Sequence, residues 1–155
     1  MKLADLLISS AGCTVFGSAD KDVEDLIYHS DKADSGSVFF AIEGQLTDGR
    51  EYIEKAVEKG ASAVVASGRL PQEIYEKVTV IETQDVRKTM AQMSAEFYGR
   101  PSERLLTIGV TGTKGKTSTT FMIRQILEAA GIKTGIIGTA VSYTHLRAHE
   151  TRGNL

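Results

Sequence analysis

Apolar and polar positions along the chain follow two periods. Short runs of β-branched and aromatic residues are separated by stretches in which apolar side chains recur every three or four positions, the pattern of an α/β chain. Leu3, Leu6 and Leu7 predict a short amphipathic helix at the start. Asp25–Ser30 and Ser37–Ile42 predict strands, parted by the turn-prone Asp34-Ser35-Gly36. From Tyr52 to Lys59, Ile53, Ala56 and Val57 share one helical face, and the pattern stops at Gly60, a residue suited to the left-handed end of a helix. Ser62–Ala66 and Val78–Ile81 predict two further strands. Asp85 stands where it can cap a helix carrying Val86, Met90, Met93 and Phe97 at helical spacing. Gly99-Arg100-Pro101-Ser102 ends that helix and reads as a linker.

Beyond the linker, Leu105–Val110 is apolar except for Thr107 and Gly109 and predicts a strand buried on both faces. A Gly-rich turn follows, then a helix from about Thr117 to Ala130, then Gly131 and a strand around Thr134–Ala140. The fold class is therefore α/β. A small α/β domain occupies 1–98, a linker 99–104, and the first strand–loop–helix–strand unit of a second, incomplete domain 105–140.

Composition narrows the function classes. Lys+Arg 18 against Asp+Glu 20 leaves a net charge of -2, so the chain has no basic footprint for nucleic acid. The longest purely apolar run, Val38–Ile42, is far too short to cross a bilayer, and Asp5 interrupts any signal-like stretch at the start. The single cysteine, Cys13, excludes an internal disulfide framework and a cysteine-based metal cluster, and with no histidine near it in sequence it reads as a small apolar residue. A cytoplasmic protein without nucleic-acid or membrane partners is expected.

The candidate chemistry lies in Thr111-Gly112-Thr113-Lys114-Gly115-Lys116-Thr117, between the apolar strand and the following helix. Glycines let backbone N–H groups turn towards phosphate oxygens, and the helix start adds its partial positive charge. Lys116 is placed to reach the β- and γ-phosphates of ATP, and the Thr117 hydroxyl to ligate Mg²⁺. The usual G-x-x-x-x-G-K-[ST] spacing is not met, because Val110 stands where its first glycine belongs.

That shortened loop, Thr-Gly-Thr-x-Gly-Lys-Thr, resembles the ATP loop of the Mur ligases, which build the peptide of the bacterial cell-wall precursor. Lys114 replaces their more usual asparagine, and Ser118 a common threonine. Gly131–Thr139 resembles the family's next strand, above all in the ligase that adds the third residue. Upstream, Gly36–Gly44, then Asp48-Gly49-Arg50-Glu51-Tyr52-Ile53, then Ala56 and Gly60–Val65, resemble the family's first domain, which holds the uridine nucleotide of the substrate.

The resemblance implies an ATP- and Mg²⁺-dependent ligase. It phosphorylates the terminal carboxylate of UDP-MurNAc-L-Ala-D-Glu, and an incoming amino acid attacks the acyl phosphate. It assigns the catalytic role to Lys116, ATP binding to Gly112, Thr113, Lys114, Gly115, Lys116, Thr117 and Ser118, and Mg²⁺ to Thr117. Substrate contacts fall on Ser30, which matches the serine of the family's Asp-Ser-Arg stretch, and on the neighbouring Gln45, Leu46 and Thr47. His29 and Asp31 depart from that stretch, and Asp31 sets an acid where a cation would face a pyrophosphate. Two alternatives remain open: the sister ligase that adds a dipeptide, and a non-catalytic nucleotide-sugar-binding module. A monomer is expected.

His145 and His149, with Glu150, have the spacing of metal ligands on a helix. Val141–Thr151, however, resembles the translation of a transposon adapter used in DNA sequencing libraries. Residues 141–155 are therefore expected to be an addition to a sequence that stops near residue 140, making the chain an inactive fragment of its parent enzyme.

Overall fold

The computed structural model describes residues 1–10, 12–44, 47–138 and the backbone of 142–144. The chain divides into two units, Met1–Leu106 and Thr107–Leu155.

The first unit is a five-stranded sheet between two layers of helix. Its strands are β1 (Thr14–Phe16), β2 (Asp25–Ile27), β3 (Ser37–Phe40), β4 (Ala63–Ser67) and β5 (Thr79–Thr83), in the order β1-β5-β4-β3-β2. β2 to β5 are mutually parallel, and β1 runs antiparallel along the outer side of β5, Val15 opposite Ile81. Side chains alternate strictly between the two faces, as the pleat requires. Phe39, Val64 and Val80 face a core shared with Ile53 and Ala56 of α2 (Ile53–Glu58) and Ile74 of α3 (Gln72–Lys77). Val38, Phe40, Val65 and Ile81 face the other core, with Leu3 and Leu6 of α1 (Leu3–Leu7) and Val86 and Met93 of α4 (Val86–Phe97). Cys13 packs, partly buried, against this second core. Burial on both faces explains why β3 and β4 read as continuous apolar runs.

The helix ends follow the residues that the sequence offers. The Asp85 carboxylate accepts the Lys88 N–H at 2.9 Å and caps α4. At its far end Gly99 turns left-handed, with Arg100 N bonded to Ala95 O and Gly99 N to Glu96 O, a Schellman closure. Gly60 closes α2 in the same way, through Ala61 N and Ala56 O.

Four features depart from the pattern reading. β1 and α3 were not foreseen. The β2 segment ends at Ile27, and Ser30 opens a 3-10 turn, Ser30–Lys32, instead of extending the strand. Leu105–Val110 is not a strand: it pairs with nothing among the described residues, and Leu105, Leu106 and Ile108 are exposed. A strand is held by its neighbours' hydrogen bonds, so an apolar run without a ladder beside it stays irregular.

The second unit contains α5 (Lys116–Ala129) and a hairpin of β6 (Gly135–Ile137) with β7 (Ser142–Thr144), Ile136 opposite Tyr143. No residue of α5 is buried. Apart from the β7 backbone, the tail 141–155, with His145, His149 and Glu150, lies outside the described residues. No helix among the described residues is long and apolar enough to cross a membrane.

Candidate functional site

In the first unit the parallel strands all open at one edge. Tyr28-His29-Ser30 follows β2, the 41–48 loop follows β3, Gly68-Arg69-Leu70 follows β4, and Asp85 lies just beyond β5. Open parallel sheets bind their ligands outside this carboxyl edge. Topology therefore brings Ser30 and Thr47 to one edge of the sheet. Ser30 is buried, and its hydroxyl has no hydrogen-bond partner among the described residues. Thr47 is exposed and its carbonyl accepts from Gly44 N at 3.0 Å. Gln45 and Leu46 lie outside the described residues.

The loop is closed at its base. Gly49 N donates to Ile42 O at 3.0 Å, Glu43 and Asp48 form a bridge, and the Asp48 carboxylate accepts from Arg50 N at 2.9 Å. A Cβ on Gly49 would fall 2.5 Å from Ile42 O and 2.6 Å from Ile42 N, so only glycine fits there. Two arginines tie the loop to its surroundings. Arg87 Nη2 donates to Glu43 O at 3.1 Å, and Arg50 Nη2 to Arg69 O at 2.8 Å.

The acid at position 31 has a partner of its own. Its carboxylate lies 2.9 Å from Lys55 Nζ and 3.2 Å from Lys59 Nζ, and Lys59 also donates to the Asp31 carbonyl. The hydrogen bonds from Lys55 and Lys59 hold the Asp31 carboxyl below the usual range. The opposing charge is thus paired with Lys55 of α2 and with Lys59 at its C-terminal cap. His29 is exposed, its ring 4.5 Å from that of Tyr28. Lys55, Lys59 and Arg87 escaped the sequence reading; the i, i+4 spacing of the two lysines was the available signal.

In the second unit, Gly112 (φ 152°) and Gly115 (φ 78°) take conformations that L side chains rarely adopt, and Gly115 forms the N-cap of α5. This turn leaves the N–H groups of Thr113, Lys114, Gly115, Lys116, Thr117 and Ser118 without acceptors among the described residues. Lys116 folds back over the loop and donates to Gly112 O at 2.6 Å. Thr119 and Thr120 turn their hydroxyls to the carbonyls of Gly115 and Thr117, whereas the Thr117 and Ser118 hydroxyls have no partner among the described residues. An exposed run of unpaired N–H donors at the positive end of a helix, with an ammonium above it, suits a polyphosphate. For a divalent cation the site offers the Thr117 hydroxyl, and no cluster of His, Cys, Asp or Glu among the described residues adds a second protein ligand. The donor set fits Mg²⁺ held chiefly by phosphate oxygens. All seven loop residues assigned from the sequence lie together here.

Two family models match in order along the chain: the Mur ligase family catalytic domain over residues 22–98 and the Mur ligase middle domain over residues 110–154. The UDP-N-acetylmuramoyl-L-alanyl-D-glutamate--2,6-diaminopimelate ligase of Clostridium tetani is 41% identical over 144 residues, covering 92% of this chain and 30% of that protein. The chain thus spans about 30% of the length of the curated relatives it matches. Among solved structures, MurF from Acinetobacter baumannii superposes with a TM-score of 0.63 at 22% identity, over 83% of this chain and 27% of that one, a likeness of fold. MurF ligase from Thermotoga maritima, solved in complex with ADP, gives a TM-score of 0.50 at 25% identity, over 69% of this chain and 24% of that one.

Proposed function

Because the chain belongs to the Mur ligase family, we propose that it is the amino-terminal part of an ATP-dependent ligase that adds the third residue to UDP-MurNAc-L-Ala-D-Glu. The observation that carries this reading is the 41% identity, over nearly the whole chain, to a relative whose name states that reaction. A D-alanyl-D-alanyl ligase of Acinetobacter baumannii is alike in fold at 22% identity.

Residues 1–98 hold the uridine end of the substrate through Ser30 and the 45–47 loop, at the carboxyl edge of the sheet. After the linker, 99–104, the domain beginning at 105 holds ATP. Its N–H groups from Thr113 to Ser118 receive the phosphates. Lys116 leaves the Gly112 carbonyl to neutralise the β- and γ-phosphates, and the Thr117 hydroxyl holds Mg²⁺. When bound, ATP would supply the γ-phosphoryl group that converts the substrate's terminal carboxylate to an acyl phosphate, leaving ADP, with Mg²⁺ screening the phosphate charge; an amine would then displace inorganic phosphate to form the amide. Lys116 contributes by stabilising charge on the transferring group. The acceptor carboxylate and the incoming amine must be placed in line by parts of the enzyme beyond these residues. The parent is read as a cytoplasmic monomer without nucleic-acid or membrane partners.

The test is ATP-dependent phosphate release by the complete enzyme with UDP-MurNAc-L-Ala-D-Glu and candidate diamino acids. Release that requires both substrates and is lost in Lys116→Ala is expected, with background from residues 1–155 alone. Release indifferent to the UDP-sugar, or unaffected by Lys116→Ala, refutes the reading.

A further inference from the structure

Arg100 is the only non-glycine among the described residues with a left-handed backbone, φ 50°. It follows Gly99, itself left-handed at φ 70°, so two successive residues redirect the chain as it leaves α4. A side chain persists in this conformation where its surroundings over-determine it. Here they do. Arg100 Nε and Nη2 both donate to Glu96 Oε1, one helical turn back on α4. Nη2 also donates to Ser9 Oγ, just beyond α1, and the Ser9 hydroxyl donates in turn to Glu96. Nη1 donates to Glu103 Oε1 at 2.7 Å, in the 3-10 turn Pro101–Arg104. One guanidinium therefore joins three segments, the end of α1, the last turn of α4 and the start of the linker.

Backbone contacts reinforce the arrangement. Glu103 N donates to Arg100 O at 3.1 Å, Leu105 N to Ser102 O at 3.4 Å, and Pro101 fixes the first torsion of the turn. Glu96, three-quarters or more removed from solvent, gives the fork a well-defined anchor, and a planar guanidinium held by several acceptors loses little further freedom.

We propose that Arg100 is a clamp that makes residues 101–105 a rigid extension of the first unit instead of a flexible tether. A lysine cannot do the same work, because a single ammonium cannot bridge Glu96, Glu103 and Ser9 in a plane. The inference is independent of the ligase reading, since it concerns only contacts inside residues 1–106.

The experiment compares amide hydrogen exchange in the complete 155-residue chain for the wild type, Arg100→Gly and Arg100→Lys. Glycine keeps the left-handed turn and removes the fork. Exchange at Glu103 and Leu105 should quicken about tenfold or more in Arg100→Gly. The melting temperature should fall only by the contribution of the lost Arg100–Glu96 bond, the interior amides of α4 should keep their protection relative to the rest of the first unit, and Arg100→Lys should fall between the two. Three results overturn the proposal: unprotected Glu103 and Leu105 amides in the wild type, equal protection in Arg100→Gly, or loss of protection spread evenly through Val86–Phe97. The last would reduce Arg100 to a helix-end contact. Failure of the ligation assay leaves these outcomes untouched.

Discussion

Gly49→Ala separates two reasons for which a chain keeps a glycine. At Gly49 the backbone is not left-handed, yet an added methyl would sit 2.5 Å from Ile42 O, 2.6 Å from Ile42 N and 2.8 Å from Ala41 C. All three are backbone atoms at the end of β3, so no side chain can rotate away. Either the 43–48 loop moves outward, breaking the Gly49 N to Ile42 O bond, or β3 shifts. Overpacking of this kind costs about 1–3 kcal/mol, and rigid neighbours place this site at the upper end. Gly68 is the converse: φ is 67° and nothing lies within 4 Å, so alanine there meets only the left-handed penalty, about 1 kcal/mol. For a unit of this size each kcal/mol lowers the melting temperature by about 4–8 °C. Gly68→Ala should therefore cost about 5 °C and Gly49→Ala about 15 °C, measured by circular dichroism on the 155-residue chain. Calorimetric titration with UDP-MurNAc-L-Ala-D-Glu should show weakened binding in Gly49→Ala alone. If Gly49→Ala melts no lower than Gly68→Ala, the close approach is not rigid and the argument fails.

Other outcomes follow from single contacts. Asp85→Ala removes the cap on Lys88 N and should destabilise the chain by about 1 kcal/mol, read from a urea melt. Ser30→Ala deletes a hydroxyl that bonds nothing among the described residues, so the melting temperature should hold while UDP-sugar affinity drops about fivefold; unchanged affinity would remove Ser30 from the site. The hydrogen bond from Arg100 depresses the Glu96 carboxyl to about 2, against an ordinary 4.5. Its stabilisation is thus complete above the unfolded value and fades as pH falls from about 4.5 towards 2. Glu96→Gln should flatten that part of the acid-unfolding curve, and an identical curve would show that the pair contributes nothing there.

The sequence made most of this fold legible where local pattern and tertiary contact agree. β3 and β4 are buried on both faces and read as apolar runs, and Asp85 and Gly60 mark helix ends by chemistry that acts within a few residues. β1 has no such signal. Thr14-Val15-Phe16 is a strand because β5 lies beside it, and that pairing spans more than sixty positions. α3 spans only Gln72–Lys77 after its cap at Pro71 and turns only Ile74 fully inward, so its periodicity is too short to register. Leu105–Val110 shows the reverse case, a strand-like pattern without a partner to make it a strand. At the sites, the phosphate loop was readable because its function resides in consecutive backbone groups. The Asp31 pairing with Lys55 and Lys59, and the Ser9–Arg100 contact, depend on side chains brought together from distant positions.

The order of strands in the sheet also bears on how the chain folds as it leaves the ribosome. β2, β3, β4 and β5 each add beside the strand made just before, so the parallel part of the sheet can grow in the direction of synthesis. β1 and α1 are made first but dock last. β1 has no edge to join until Thr79–Thr83 has emerged, and Leu3 and Leu6 share their core with Val86 and Met93 of α4. Closing so long a segment is the slow, entropically costly step of a topology like this one. Until β5 and α4 emerge, Val15 lacks its strand partner, and Leu3, Leu6 and Val23 lack the part of their core that Ile81, Val86 and Met93 supply. Fusing a bulky tag to Met1, whose amino group bonds Val23 O at 3.2 Å, would burden that final docking and leave the growth of the parallel strands undisturbed.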